Sequence, residues 1–169
     1  RIDKPTADAF LLANHLQGSP SAKYKYGLFL PSRYYRVLKN TDLLDLTATE
    51  LLVAVATFGS TKKYYRANEI AKSGELIRVA SLAHFSVVGG FEKLLKKYIE
   101  EVAPDDIMTY VDADWSDGKT YSERGFELIE KISSTEFWVN PLTFERIAAK
   151  REAMPEGWLK VWNTGSWKV

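Results

Sequence analysis

The sequence predicts an α/β fold, a central twisted mixed β-sheet flanked by helices, in a single domain over residues 1–169. Two observations carry this. Residues 74–126 read as a strand, a glycine turn, a helix and a second strand, an order that requires a crossover and places the two strands parallel. Their helix is well marked: Phe91, Leu94, Leu95, Tyr98, Ile99 and Val102 recur at the spacing of one face. Glu92, Lys93, Lys96, Lys97, Glu100 and Glu101 lie opposite, and Pro104 stops the run. The second observation is the near-continuous apolar stretch from Leu51 to Phe58, which suits a strand covered on both faces.

The remaining elements follow in chain order. Thr6 or Asp8 can cap a first helix that holds Phe10, Leu11 and Leu12 and ends near His15-Leu16-Gln17-Gly18. Gly18-Ser19-Pro20-Ser21 is a turn, and Tyr24 to Leu30 a strand closed by Pro31. Ser32 to Thr49 is longer than a tight connection needs and reads as an insertion. Glu75–Leu82 and Asp106–Val111 are the central strands, joined through the helix Gly90–Glu101. Phe126–Ile132 and Glu136–Asn140 supply two more strands, and Thr143–Arg151 a short helix. Leu159–Trp162 and Ser166–Val169, joined by Asn163-Thr164-Gly165, read as a terminal hairpin, so that residues 141–169 form a C-terminal helix and hairpin extension.

Composition excludes several chemistries. A chain of 169 residues with 46% hydrophobic and 13% aromatic content can bury a sizeable core. Without cysteine it has no disulfide, no thiolate nucleophile and no cysteine-based zinc site. No apolar run is long enough for a bilayer and no signal-peptide pattern is visible, so a cytoplasmic location without a membrane partner is expected. A first residue of Arg rather than Met suggests a segment cut from something longer. Histidine occurs only at positions 15 and 84, with no His-x-x-x-His spacing, and no metal site is expected. The net charge of +1 conceals an asymmetry. Residues 1–72 hold eleven Lys and Arg against six Asp and Glu, and the remainder twelve against sixteen. Such polarity draws anions to one side of a molecule.

Several residues could carry chemistry. A strand feeding a glycine turn that opens a helix suits a phosphate, because glycine lets the backbone approach and helix N–H groups point at the anion. Val88, Gly89, Gly90 and Phe91 are the candidates; the same turn would equally serve to pack a helix close to a sheet. Asp112 and Asp114 stand just past a central strand, at the sheet edge where α/β proteins bind ligands. Asp117 reads as a helix cap. Arg33-Tyr34-Tyr35-Arg36 and Lys62-Lys63-Tyr64-Tyr65-Arg66 echo one another, and their basic and aromatic side chains suit phosphates and unpaired bases, or simply a half-buried strand edge.

The acidic, Trp-containing loop Asp112-x-x-Trp115-Ser116-x-Gly118, followed by Tyr121-x-x-x-Gly125-Phe126 and preceded by Val88-Gly89-Gly90, resembles the GNAT acyltransferase superfamily over most of residues 6–140. Phe85 stands where that family usually has Gln or Arg, and Val88 where it has its first glycine. His15-Leu16-Gln17-Gly18 and Val161-Trp162-Asn163-Thr164-Gly165 make the chain more similar still to small phage-encoded GNAT-like proteins, including Mom-type DNA-modification enzymes. The resemblance implies an N-acyltransferase that uses acetyl-CoA or a related acyl-CoA, its pyrophosphate on residues 88–91. Tyr121 would protonate the departing thiolate, Asp112 would position or deprotonate the acceptor amine, and His15 would orient the acceptor or act as a base. Two alternatives stay open. One is a nucleic-acid-modifying or DNA-binding accessory domain of mobile-element type, with Arg33, Arg36, Lys62, Lys63 and Arg66 at the nucleic acid. The other is a GNAT-like interaction module that has lost catalysis.

Overall fold

The computed structural model describes residues 1–39, 41, 42, 44–66, 69–149 and 153–169, with Arg66 described by its backbone alone. It is a mixed α+β structure made of two compact units, residues 1–107 and 108–169.

The first unit is a sheet with a helix on each face. α1 spans Lys4–Asn14, β1 Tyr24–Pro31, β2 Glu50–Phe58, β3 Lys62–Arg66, β4 Glu69–Ser81 and α2 Gly90–Val102; β5, Asp106–Asp112, begins here. β1, β2 and β4 are antiparallel neighbours, with Gly27 opposite Val55 and Val55 opposite Ala80. Val55 and Ala80 form one apolar cluster with Ala7, Phe10 and Leu11 of α1. Alternation sends the next residues along each strand to the other face. There Tyr98 of α2 stacks on Phe58 at 3.8 Å, with Tyr24 and Tyr26 edge-on to its ring. β4 and β5 are neighbours that start side by side. The Lys72 N–H donates to the Asp105 carboxylate (2.7 Å) and the Asp105 N–H to the Lys72 carbonyl (2.8 Å).

Two expectations change in this unit, the helix start and the central strand, and the insertion gains detail. The first helix starts earlier than Thr6, because the Asp3 carboxylate accepts the Thr6 N–H and Pro5 fits a first turn whose N–H groups need no intrahelical partner. The expected insertion opens as a 3₁₀ helix, Ser32–Val37; Asn40 and Leu43 of that segment lie outside the described residues. The central strand begins at Glu69, not Glu75, because its first half pairs with β3 (Tyr64 opposite Ala71) and its second half with β2. Consequently Arg33–Arg36 and Lys62–Arg66, alike in sequence, are unlike in structure: one is a 3₁₀ turn and the other a strand.

In the second unit β10, Ser166–Lys168, pairs antiparallel with both β5 and β6, Glu130–Ile132. A separate three-stranded sheet has β7, Glu136–Val139, between β8, Arg146–Ala148, and β9, Leu159–Trp162. The terminal hairpin is thus corrected: β9 and β10 belong to different sheets. Asn163 Oδ1 accepts the N–H groups of Thr135 and Gly165, and Gly165 takes φ +95° where a Cβ would lie 2.2 Å from the Ile132 carbonyl oxygen. That tight passage diverts the chain from one sheet to the other. The expected helix over Thr143–Arg151 is instead strand β8, with Lys150 and Arg151 outside the described residues. The turn before it is held by Asn140, whose Oδ1 accepts the Leu142 and Thr143 N–H groups, and Phe144 sits at φ +59°, incompatible with a helix. The expected strand from Phe126 shrinks to three residues. Among the described residues no helix is long and apolar enough to cross a membrane.

Candidate functional site

The glycine turn in the first unit has two glycines with two different jobs. Gly89 caps α2 at φ +70°, ψ 6°, a left-handed conformation costing a non-glycine residue about 1–2 kcal/mol, and a Cβ there would meet nothing within 4 Å. Gly90 is buried, and its missing Cβ would lie 2.8 Å from Val87 Cγ1, so it serves close packing. The Gly90 N–H is engaged by the Val87 carbonyl (2.9 Å). The N–H groups of Val88 and Gly89 have no acceptor among the described residues, and Val88 is 92% exposed, so they can reach a ligand. Phe91 opens the first turn of α2, and Glu92 places a carboxylate there.

His15 is the C-cap of α1, half-buried. Burial pushes its pKa down, and the nearby Arg78 charge pushes it further. Its Nδ1 accepts the Gln17 N–H at 3.1 Å, so in the neutral ring the proton sits on Nε2. The nitrogen left over is a donor; a base would need its lone pair. Of the two roles expected for His15, orienting a ligand fits this geometry. His84, at φ +67°, is exposed.

The basic segments have unequal character. The Arg33 guanidinium lies over the Tyr34 ring (4.8 Å), and the Tyr35 hydroxyl donates to the Ala48 carbonyl (3.0 Å). Arg36 is exposed at the end of the 3₁₀ turn. Lys62, Lys63, Tyr64 and Tyr65 stand out on β3, Tyr65 at 85% exposure. The side chain of Arg66 lies outside the described ones.

In the second unit Asp112 ends β5, half-buried, and its Oδ1 accepts the Asp114 N–H (3.0 Å), folding the loop back on itself. Asp114 ties the loop to a distant part of the chain. Its Oδ1 accepts both the N–H and the hydroxyl of Thr164 at 2.8 Å, bonds that hold its pKa below the usual carboxylate range. Asp117 accepts the Lys119 N–H (2.9 Å) at the start of the four-residue helix α3, Lys119–Ser122. Gly125 takes φ +83°, letting the Phe126 N–H return to the Tyr121 carbonyl (3.2 Å) and closing the helix. Tyr121 packs edge-on against Phe126 (5.6 Å). Burial raises its pKa while Arg124 opposes, so the phenol stays protonated at neutral pH. Among the described residues no group of three or more His, Asp or Glu is placed to hold a metal ion. Two polar residues of the first unit escaped the sequence reading, Thr57 and Arg78; the signal was an arginine inside the apolar run Leu76-Ile77-Arg78-Val79-Ala80.

No protein-family model, curated protein or solved structure matches the chain.

Proposed function

We propose that the chain is a GNAT-like N-acyltransferase that takes an acyl group from acetyl-CoA or a related thioester. The observation that carries the reading is the unit formed by β4, the glycine turn and α2, with Gly89 left-handed at the helix start and β5 setting out beside β4. In this reading the N–H groups of Val88 and Gly89 meet the pyrophosphate, aided by the positive end of α2. An acceptor amine forms the new C–N bond and gives up a proton to Asp112, the C–S bond breaks, and the thiolate takes its proton from Tyr121. The raised pKa of Tyr121 supports a donor role, since the group must arrive protonated. Titration calorimetry with acetyl-CoA tests the reading. Saturable binding that Gly89→Ala weakens is the expected result; no heat at millimolar ligand overturns it and leaves the interaction-module alternative.

A second reading, nucleic-acid binding, is favoured by one observation: β3 exposes a lysine and a tyrosine on each side of the strand, Lys62 with Tyr64 and Lys63 with Tyr65. Lysines neutralise phosphates and exposed tyrosines stack on unpaired bases. Fluorescence anisotropy with a labelled single-stranded oligonucleotide tests it, with salt-dependent binding expected.

A further inference from the structure

The sheet of the first unit runs on past the elements that flank and cover it. The ladder between β1 and β2 ends at the Tyr24–Phe58 pair, and β5 comes alongside β4 where Asp105 bonds to Lys72. Past those points β3 and the first residues of β4 form a two-stranded ribbon, with no third strand on either edge among the described residues.

The two sides of this ribbon differ. Gly74 faces α2, since a Cβ there would lie 2.4 Å from the Tyr98 oxygen. The two-residue period carries that side on to Lys72 and Ile70, and Lys72 Nζ donates to the Val102 carbonyl at the end of α2. Residues directly opposite in a ladder share a side, so Lys63 joins Lys72 there, and Tyr65 joins Ile70. Lys62 and Tyr64 belong to the other side, with Tyr64 opposite Ala71.

On the first side α2 is the cover, and it stops short. The helix ends at Val102, level with Lys72, and Ala103 turns left-handed at φ +45°. The next rung outward is left open, with Tyr65 85% exposed and Ile70 56%. Behind it, roughly 7 Å away at 3.4 Å per residue, two lysines stand directly opposite each other, an unfavourable pairing of like charges. Neither makes an ion pair among the described residues. The Val102 carbonyl engages Lys72 without neutralising it, and the nearby Asp105 carboxylate accepts the Lys72 backbone N–H. An open apolar rung beside an uncompensated cationic one matches a flat base with its phosphate attached.

We infer that the Tyr65–Ile70 rung is a stacking platform for one unpaired base, with Lys63 beside Lys72 meeting the adjacent phosphate, so that the ribbon selects single-stranded over duplex nucleic acid. The inference rests on the nucleic-acid reading above and adds to it which side binds and which strand state is taken. Bases in a duplex are already stacked on both faces, whereas an unpaired base has a face to give to the tyrosine.

The test uses the full chain and a short oligonucleotide carrying one 2-aminopurine, whose fluorescence changes when it stacks. DNA and RNA versions are titrated separately, each as a single strand and as a duplex, and the tighter of the two identifies the sugar. The expected result is a saturable fluorescence change with the single strand, and duplex binding at least about tenfold weaker. Tyr65→Ala is expected to weaken binding at least about fivefold and to abolish the fluorescence change, the scale of one lost stack. Tyr65→Phe, which keeps the ring, retains both, and Tyr64→Ala has less than half the effect of Tyr65→Ala on log Kd. Lys63→Gln lowers the log–log salt slope by about 0.7. Duplex bound as tightly as single strand, or Tyr64→Ala and Tyr65→Ala equally damaging, would overturn the inference while leaving nucleic-acid binding in place. No binding of either form by the parent chain would overturn both.

Discussion

Tyr98 offers a sharp test of how α2, and with it the glycine turn, is held on the sheet. The ring is fully buried, stacked flat on Phe58 at 3.8 Å, and its hydroxyl has no hydrogen-bond partner. The position of Gly74 follows from it, since a Cβ there would sit 2.4 Å from the Tyr98 oxygen. A buried hydroxyl without a partner costs roughly 1–3 kcal/mol, whereas the ring contributes by packing. Tyr98→Phe keeps the ring and removes the cost, so we expect stabilisation by about 1–2 kcal/mol at pH 7. The pH dependence gives an independent check. Burial, with smaller contributions from Tyr24 and Tyr26, pushes the Tyr98 phenol up to about 12 from an ordinary value near 10. Between those values the unfolded chain loses this proton and the folded chain keeps it. The stability is therefore whole below pH 10 and falls as pH rises toward 12, by roughly 2–3 kcal/mol for a shift of that size. Tyr98→Phe should lack that component of the alkaline loss. Urea unfolding followed by tryptophan fluorescence at pH 7 and across pH 9.5–12 measures both. Destabilisation of Tyr98→Phe by more than 1 kcal/mol at pH 7 would refute the reasoning, because it would mean that the hydroxyl is satisfied, for instance by a bound water.

Other expectations concern the proposed activities. Glu92 sets a carboxylate in the first turn of α2, where it would compete with the pyrophosphate of the proposed donor. Glu92→Gln should tighten acetyl-CoA binding about two- to fivefold at low salt by calorimetry, the scale of a helix-end charge. Tyr121→Phe should leave coenzyme A affinity nearly intact and lower kcat by roughly 10²–10⁴-fold if the hydroxyl protonates the thiolate, as single-turnover and steady-state assays would show. On β3, changing Lys62 and Lys63 together to Gln should flatten the salt dependence of oligonucleotide binding by about 1.4 in log–log slope, while Tyr65→Ala should cost about 1–3 kcal/mol of affinity whatever the salt.

The parts of the fold that were legible from sequence are those where a single periodicity meets a single environment. α2 has one apolar face and one charged face, and the structure buries Leu94, Tyr98 and Val102 from the apolar one. β2 is apolar nearly throughout because both of its faces are covered, and Val53 to Phe58 are all buried. The pairing of β3 with the first half of β4 was hidden because β3 is polar and exposed, so no apolar alternation marks it. The last thirty residues misled for another reason. Asn163-Thr164-Gly165 has the chemistry of a hairpin turn, yet Asn163 uses its side chain on Thr135, a contact distant in sequence, and the turn becomes a crossing between sheets. Local turn chemistry sets the bend but not the partner strand.

The candidate residues divide along the same line. Gly89 could be read locally, because a left-handed helix start demands glycine wherever the helix packs. Alternation alone could not tell Asp112 from Asp114, since both follow the same strand and are placed alike, and Asp112 was singled out only by the resemblance. What separates them is Thr164, fifty residues on, which engages Asp114, while among the described residues the Asp112 side chain has a local turn bond alone. Arg78 is the extreme case. An arginine inside an apolar strand is visible in the sequence, but a salt bridge to a facing carboxylate would make it ordinary. Its significance comes from the fold: the register sets a buried threonine across the ladder, and Arg78 has no ion-pair partner among the described residues. A charged side chain becomes a functional hypothesis when its surroundings fail to neutralise it, and that failure is a property of the folded neighbourhood rather than of any motif.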